Sequence, residues 1–406
     1  MVAQPPGNTR LKSARIAAGY HSQQALADAL RVGVRQVRRW ESSAPPWPQG
    51  EMAQNLTRLL GQDLKSLGFT PPPGAQTDGG RRPGLAAAVG LAAVPTQAAI
   101  IQPSSVATDF AAVTRAHRRL YWSVAPATLH PAAIAHATLG CALLTETAGQ
   151  TRRAVAAALA ETWLLAGRIE FFDLRDADRA QQTLLRALQA AGEADDPLIG
   201  AAVLAHTAFI PAWVGDRDAA VERMVAARTY ARRGPAPTEL LAWLDAVEAE
   251  CETRCGNTRT ALHLIGHAEG VLAEGSANAV PEWLDWFSPV RLAAFKGNTQ
   301  LLAGHLPQAR TTLLGVLDEL EKTEEKQATV VLGDLAAVEA AAGDPEAACG
   351  YARRALDQLE RTWYAMGMDR VRDVRRSLTP HQHEACVRDL DDRLYGWATT
   401  VSALAR

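Results

Sequence analysis

Cysteine is scarce in this chain: five in 406 residues, an odd number without regular spacing. That argues against a disulfide frame and suits reduced thiols in a cytoplasm. No apolar signal-peptide core follows the start, MVAQPPGNTRLKSAR. A long hydrophobic run is missing too. The most apolar stretch, residues 81–101, is mostly Ala and Gly and carries Pro95, Thr96 and Gln97, so it reads as an Ala-rich tether and no membrane contact is expected. Strand-type alternation is nowhere convincing. There is no G-x-S-x-G, no GxxxxGK[ST] phosphate loop and no dinucleotide fingerprint after a strand. No nucleophile stands with a base, so neither catalysis nor a cofactor is expected. Even net charge is nearly absent, at −2.

That near-neutral total hides a division. Residues 1–69 carry +5 and the remainder −7, which fits a basic head that meets nucleic acid on a body that does not. The length suits two or three units. Helical patterning fills residues 8–69; residues 70–107, opening TPPPGAQTDGGRRPG, have the composition of a flexible linker; a helical body runs over 108–406.

Within the head, Ser22–Glu41 reads SQQALADALRVGVRQVRRWE. Ser22 is a good N-cap, and Ala25, Leu26, Ala29 and Leu30 follow at one-face helical spacing. Arg31, Val32 and Gly33 break that helix. A second begins at Val34, with Val37 and Trp40 on its apolar side and Arg35, Arg38 and Arg39 across the rest. A major groove admits such a helix, and arginine can donate two hydrogen bonds to guanine O6 and N7. Arg35 and Arg39, one turn apart, are therefore the candidate base readers, with Val34 against a thymine methyl. Gln36 and Arg38 read a base edge or hold a phosphate, and Gln23, with its helix N-terminus, anchors the backbone. The plain alternative is a solvated arginine face. Leu11, Ala14, Arg15 and Ala18 make a preceding helix ended by Gly19; Met52, Leu56, Leu59 and Leu60 a fourth, stopped by Gly61; Leu64 and Leu67 a short fifth.

Residues 9–69 resemble the Cro/lambda-repressor-like (XRE-type) helix-turn-helix family. The resemblance is carried by Leu11, Arg15, Gly19, Ser22, Gln23, Leu26, Ala27, Leu30, Val37, Arg39, Trp40 and Glu41. It implies that the recognition helix starts at Val34 and Arg35 and reaches bases again at Arg39, and that the protein binds double-stranded DNA as a homodimer on inverted repeats. Two positions depart from the family pattern: Arg31 replaces a frequent glycine, and Gly33 replaces a Ser, Thr or Asp cap.

The body is repetitive. Gly215, Gly256, Gly304 and Gly343 are each followed five residues later by alanine, at 220, 261, 309 and 348, and Arg175 with Ala180 is a glycine-free copy. Leu184, Met224, Ile265, Leu313 and Ala352 stand four beyond each alanine, and Arg168, Ala208, Ala249, Gly297 and Ala336 twelve before it. Small residues at these places let antiparallel helices approach around a tight turn, and pairs so repeated stack into a solenoid. The pattern resembles degenerate tetratricopeptide (TPR) repeats over 165–360, although its spacing exceeds the usual ~34 residues; an irregular α-solenoid also fits. The expected fold is all-α, a five-helix head followed by a TPR-like solenoid.

Cys251, Cys255, His263 and His267 are the one metal-like set, but seven residues between the pairs are fewer than zinc-finger spacing, and buried thiols with surface histidines are expected instead. Aromatic clusters recur in separate repeats: FIPAW, PEWLDWF and RTWY. Trp213, Trp283, Trp286 and Trp363 are thus candidates for a shared effector groove, with Arg291, Lys296 and Arg370 for charge recognition; tryptophan at helical spacing also suits a core. The whole is expected to be a cytoplasmic, sequence-specific transcription regulator that senses a small molecule or peptide. The alternative is a repeat scaffold with only nonspecific DNA affinity.

Overall fold

The computed structural model describes residues 7–70 apart from 31, 49, 61 and 63, and residues 102–404 apart from 322 and 323. Contacts divide the chain into two units, 1–94 and 95–406. Arg31, Gly61 and the stretch 71–101, which holds most of the expected linker, lie outside the described residues. The fold is all-α, with no strand among the described residues.

In the first unit α1 (Thr9–Ala17), α2 (Gln23–Ala29), α3 (Val34–Trp40) and α4 (Gly50–Leu60) surround a core of Leu11, Leu26, Leu30, Val37, Trp40, Leu56, Leu67 and Phe69. Helices this short are marginal alone, and polar side chains set their ends. Asn8 accepts from the Leu11 amide at 3.2 Å and donates to the carbonyls of Trp40 and Leu67, tying three segments together. Ser22 caps α2 by accepting from the Ala25 amide at 3.0 Å. Gly19, at φ +84°, makes the left-handed exit from α1. Gly33 gives α3 no side-chain cap, so α3 depends on burial of Val37 and Trp40. The expected fifth helix does not form. Leu64–Gly68 is a turn closed by the Phe69 amide on the Leu64 carbonyl at 2.9 Å, because Leu67 and Phe69 both enter the core within that short span.

The second unit begins before the expected residue 108: Gln102 already bonds Glu146 through its amide. Its helices are α5 (Ser105–Leu120), α6 (Pro126–Thr145), α7 (Gly149–Arg168), α8 (Ala177–Ala194), α9 (Pro197–Trp213), α10 (Arg217–Ala231), α11 (Thr238–Arg254), α12 (Thr258–Glu274), α13 (Pro289–Leu302), α14 (Leu306–Glu319), α15 (Glu325–Ala342), α16 (Pro345–Arg361), α17 (Ala365–Ser377) and α18 (Ala385–Leu404). From α7 to α16 consecutive helices pack as hairpins, and the first helices of the pairs stack from α7 through α9, α11, α13 and α15 to α17. Gly215, Gly256, Gly304 and Gly343 all have φ between +78° and +83°. Arg175 adopts the same left-handed turn at +59°, a conformation that costs an L-residue roughly 1–2 kcal/mol. The five repeat alanines are fully buried.

One repeat departs from the sequence register, and the departure shapes everything below. Helix α7 runs into a π-helical turn, Ile169–Asp173, in which the Leu174 amide bonds the Ile169 carbonyl five residues back. A π turn holds one more residue than the α-helix it interrupts. At Gly297 an added Cβ would come 2.6 Å from Leu313, and at Gly167 2.8 Å from Leu184. Gly167, not Arg168, therefore fills the small-residue position of the first repeat. The extra residue removes Arg168 from the helix seam.

Two buried carboxylates pin this turn. Glu170 takes His130 at 2.8 Å and Arg179 at 2.9 Å, and Asp173 takes Lys326 of α15 at 2.8 Å. Arg175 pairs with Asp369 of α17. The first repeat thus touches the last helices of the stack, and the inner helices enclose a chamber. Among the described residues α6 alone has the length and apolarity of a membrane span. It packs against α7 and carries the buried His130 and His136.

Candidate functional site

Two places collect the candidate residues. On the first unit, α3 buries Val37 and Trp40 and leaves Arg35, Arg38 and Arg39 exposed. Among the described residues, none of these three side chains makes an ion pair or hydrogen bond, whereas Arg15 is buried and paired with Glu41 at 2.6 Å. Val34 and Gln36 are half-buried at the edge of the same face. Gln23 is half-buried and donates to Glu41 at 2.6 Å. Glu41 thereby ties the start of α2 to α1 just beyond α3, fixing the helix pair through charge-assisted bonds.

On the second unit, the inner helices line a half-open chamber of about 150 Å³. Phe209 and Trp213 reach it from α9, Trp243 from α11, Phe295 from α13, and Trp122, Trp286 and Tyr364 from the connections between helices. The rings pack edge to face, Phe209 to Trp213 at 5.6 Å and Trp243 to Trp286 at 5.9 Å between centroids, a favoured quadrupole geometry. His206 is fully enclosed, and burial drives its pKa down to about 3. Its Nδ1 meets the Ala202 carbonyl at 2.8 Å; because that oxygen only accepts, Nδ1 carries the proton and Nε2 is an acceptor. Burial also pushes the Tyr364 phenol up to about 12, so it stays protonated.

No family model and no curated protein matches the sequence. Among solved structures, the crystal structure of BtubC (BKLC) from P. vanneervenii is similar at 16% identity and a TM-score of 0.41, over 58% of this chain and 91% of that one. That likeness is too remote to inform the site.

The charges around the chamber divide unevenly. Arg291 pairs with Glu324 at 2.8 Å, Arg370 with Asp334 at 3.0 Å and Glu250 with Arg254 at 2.9 Å. Arg168 has no such partner among the described residues. It is 9% exposed, its Nε has no hydrogen-bond partner, and its guanidinium lies 4.6 Å from the Trp286 ring centre and 5.0 Å from that of Tyr121. Cation–π contact returns about 2 kcal/mol when desolvated, less than the several kcal/mol lost when a cation leaves water.

Of the expected groove residues, Trp213 and Trp286 line this chamber, as do Arg291 and Arg370. Three do not. Trp283 lies behind Trp286, in a crevice with Arg118 and Glu161. Trp363 packs against Trp397 in the carboxy-terminal cluster, because extended backbone at Thr362 and Tyr364 separates α16 from α17. Lys296 is paired outside with Glu269 at 2.8 Å. The metal-like set is not assembled: Cys251 is buried, His263 is exposed, and His267 bonds Asp245 at 2.6 Å. No cluster of metal-ligating side chains occurs among the described residues.

Sequence reading missed Arg168, His206, Trp122 and Trp243. Arg168 was visible as the odd residue among small ones at its repeat position. His206 and Trp243 sit in ordinary apolar helical patterns, and Trp122 lies in the turn after α5; none of them carried a separate signal.

Proposed function

We propose that this chain is a sequence-specific DNA-binding regulator of the cytoplasm, whose first unit reads an operator and whose helical body dimerises and holds an effector. The observation that carries the reading is the face of α3. Three guanidinium groups with no partner among the described residues stand on one short helix whose opposite side is anchored in a core. Arginine left free in this way suits bidentate contact with guanine and phosphate. The resemblance of residues 9–69 to the XRE-type helix-turn-helix family supports the same assignment, and the +5 charge of residues 1–69 supports attraction to DNA.

Coupling would run through the body. A ligand that changes how two bodies pack changes the separation of two recognition helices, which must match half-sites spaced by about 34 Å or a multiple. The test is Arg35→Ala in the full-length protein on its preferred DNA site. The expected result is a loss of about 1–3 kcal/mol with relaxed preference at one base step. Uniform weakening across all sequences would reduce Arg35 to a phosphate contact, and unchanged binding would remove α3 from the interface.

A further inference from the structure

We propose that the chamber of the helical body binds a small aromatic acid carrying one negative charge, with its acid group on Arg168 and its ring among the tryptophans. The inference rests on the effector role proposed above and gives that effector a chemistry. Its first support is the π turn. By adding one residue after α7 it takes Arg168 out of the seam, where Gly167 packs on Leu184, and sets it at the chamber wall. Such turns recur where helices serve function. The second is charge: the other charged side chains of the wall are matched in ion pairs, whereas Arg168 makes none among the described residues, and its Nε, like that of the ion-paired Arg370, is sealed from water without a hydrogen-bond partner. A carboxylate would satisfy the guanidinium fork.

The remaining wall selects the rest of the molecule. Flat rings at Trp213, Trp243 and Trp286 suit an aromatic ring in offset or edge contact. The indole Nε1 of Trp286, buried and unpartnered, is a free donor, and His206 Nε2 is a neutral acceptor. A larger cavity of about 750 Å³ shares Trp122, Trp286 and Arg291 with the chamber and is lined by Glu319, Glu324 and Glu325. That acidic space disfavours polyanions, so a single carboxylate is favoured over a phosphate ester.

The experiment is calorimetric titration of the full-length protein with benzoate, 2-naphthoate and indole-3-acetate, each beside its primary amide, and with 2-naphthyl phosphate. At least one acid is expected to bind ten times or more tightly than its amide and more tightly than the phosphate. Arg168→Gln is expected to erase the preference for acid over amide while leaving the melting temperature unchanged or raised, since it removes an unpaired buried cation. Should that variant fail to fold, Arg168→Lys, which keeps the charge without the fork, is expected to keep only part of the preference. Equal binding of every acid and its amide, including no binding of either at millimolar concentration, would overturn the proposal, as would an Arg168→Gln protein that folds and keeps the preference. Tighter phosphate binding would overturn the single-charge assignment. Operator binding is measured separately: an acid that binds without altering it leaves the chamber assignment standing and removes the coupling, whereas lost DNA specificity with intact acid binding removes only the regulator reading.

Discussion

Glu41 accepts from both Arg15 and Gln23 at 2.6 Å, so one carboxylate fixes two of the helices that present α3. Removing Arg15 would leave the Glu41 carboxylate buried without its cation, a costly change in a small core. His206 in the body shows the complementary case, a titratable group kept neutral by burial. Its pKa falls from 6.5 unfolded to about 3 folded, so its contribution to stability is complete above about pH 6.5 and is lost progressively as pH falls toward 3. Glu161 acts oppositely, since burial raises its pKa to about 7 and ionisation above its unfolded value costs stability. Comparing wild type with His206→Phe isolates the histidine. Melting temperatures measured from pH 7 to 4 are expected to fall more steeply in the wild type, and parallel curves would show that His206 is not held neutral.

At the level of elements, the same residue type has opposite roles. Gly297 sits inside α13 with Leu313 too close to admit a Cβ, while Gly315 sits inside α14 facing open space. Alanine gains about 1 kcal/mol of helix propensity over glycine at either position, but overpacking costs about 1–3 kcal/mol at the first. Chemical denaturation is expected to show Gly315→Ala stabilised by up to about 1 kcal/mol and Gly297→Ala destabilised. Equal gains would mean that the helix seam is looser than its geometry. Much of this level was legible in the residues: Ser22 capping α2, Val37 and Trp40 entering the core, and the glycine–alanine anchors at the turns all follow from local spacing. The π turn was not, because Glu170 and Asp173 hold it not only through Arg179 of the next helix but through His130 and Lys326, partners from distant elements. Nor was the chamber, whose wall draws residues from helices far apart in sequence. Trp363 failed as a candidate because chain direction changes at Thr362, which periodicity does not register.

For the whole molecule, the two units differ in charge and surface: exposed arginines stand on the first, and a half-open aromatic chamber in the second. Paired reading of an inverted repeat requires two first units held by dimerised bodies, so full-length protein is expected to bind its site far more tightly than residues 1–70 alone in a quantitative DNA-binding assay; equal affinities would remove the dimerisation role of the body. The most direct measurement is selection of binding sites by the full-length protein from a random DNA pool. Reading through α3 requires a recovered motif with two inverted half-sites about one helical turn, ~34 Å, or a multiple apart. Recovery of no preferred sequence, with binding that only weakens steeply as salt rises, would contradict it.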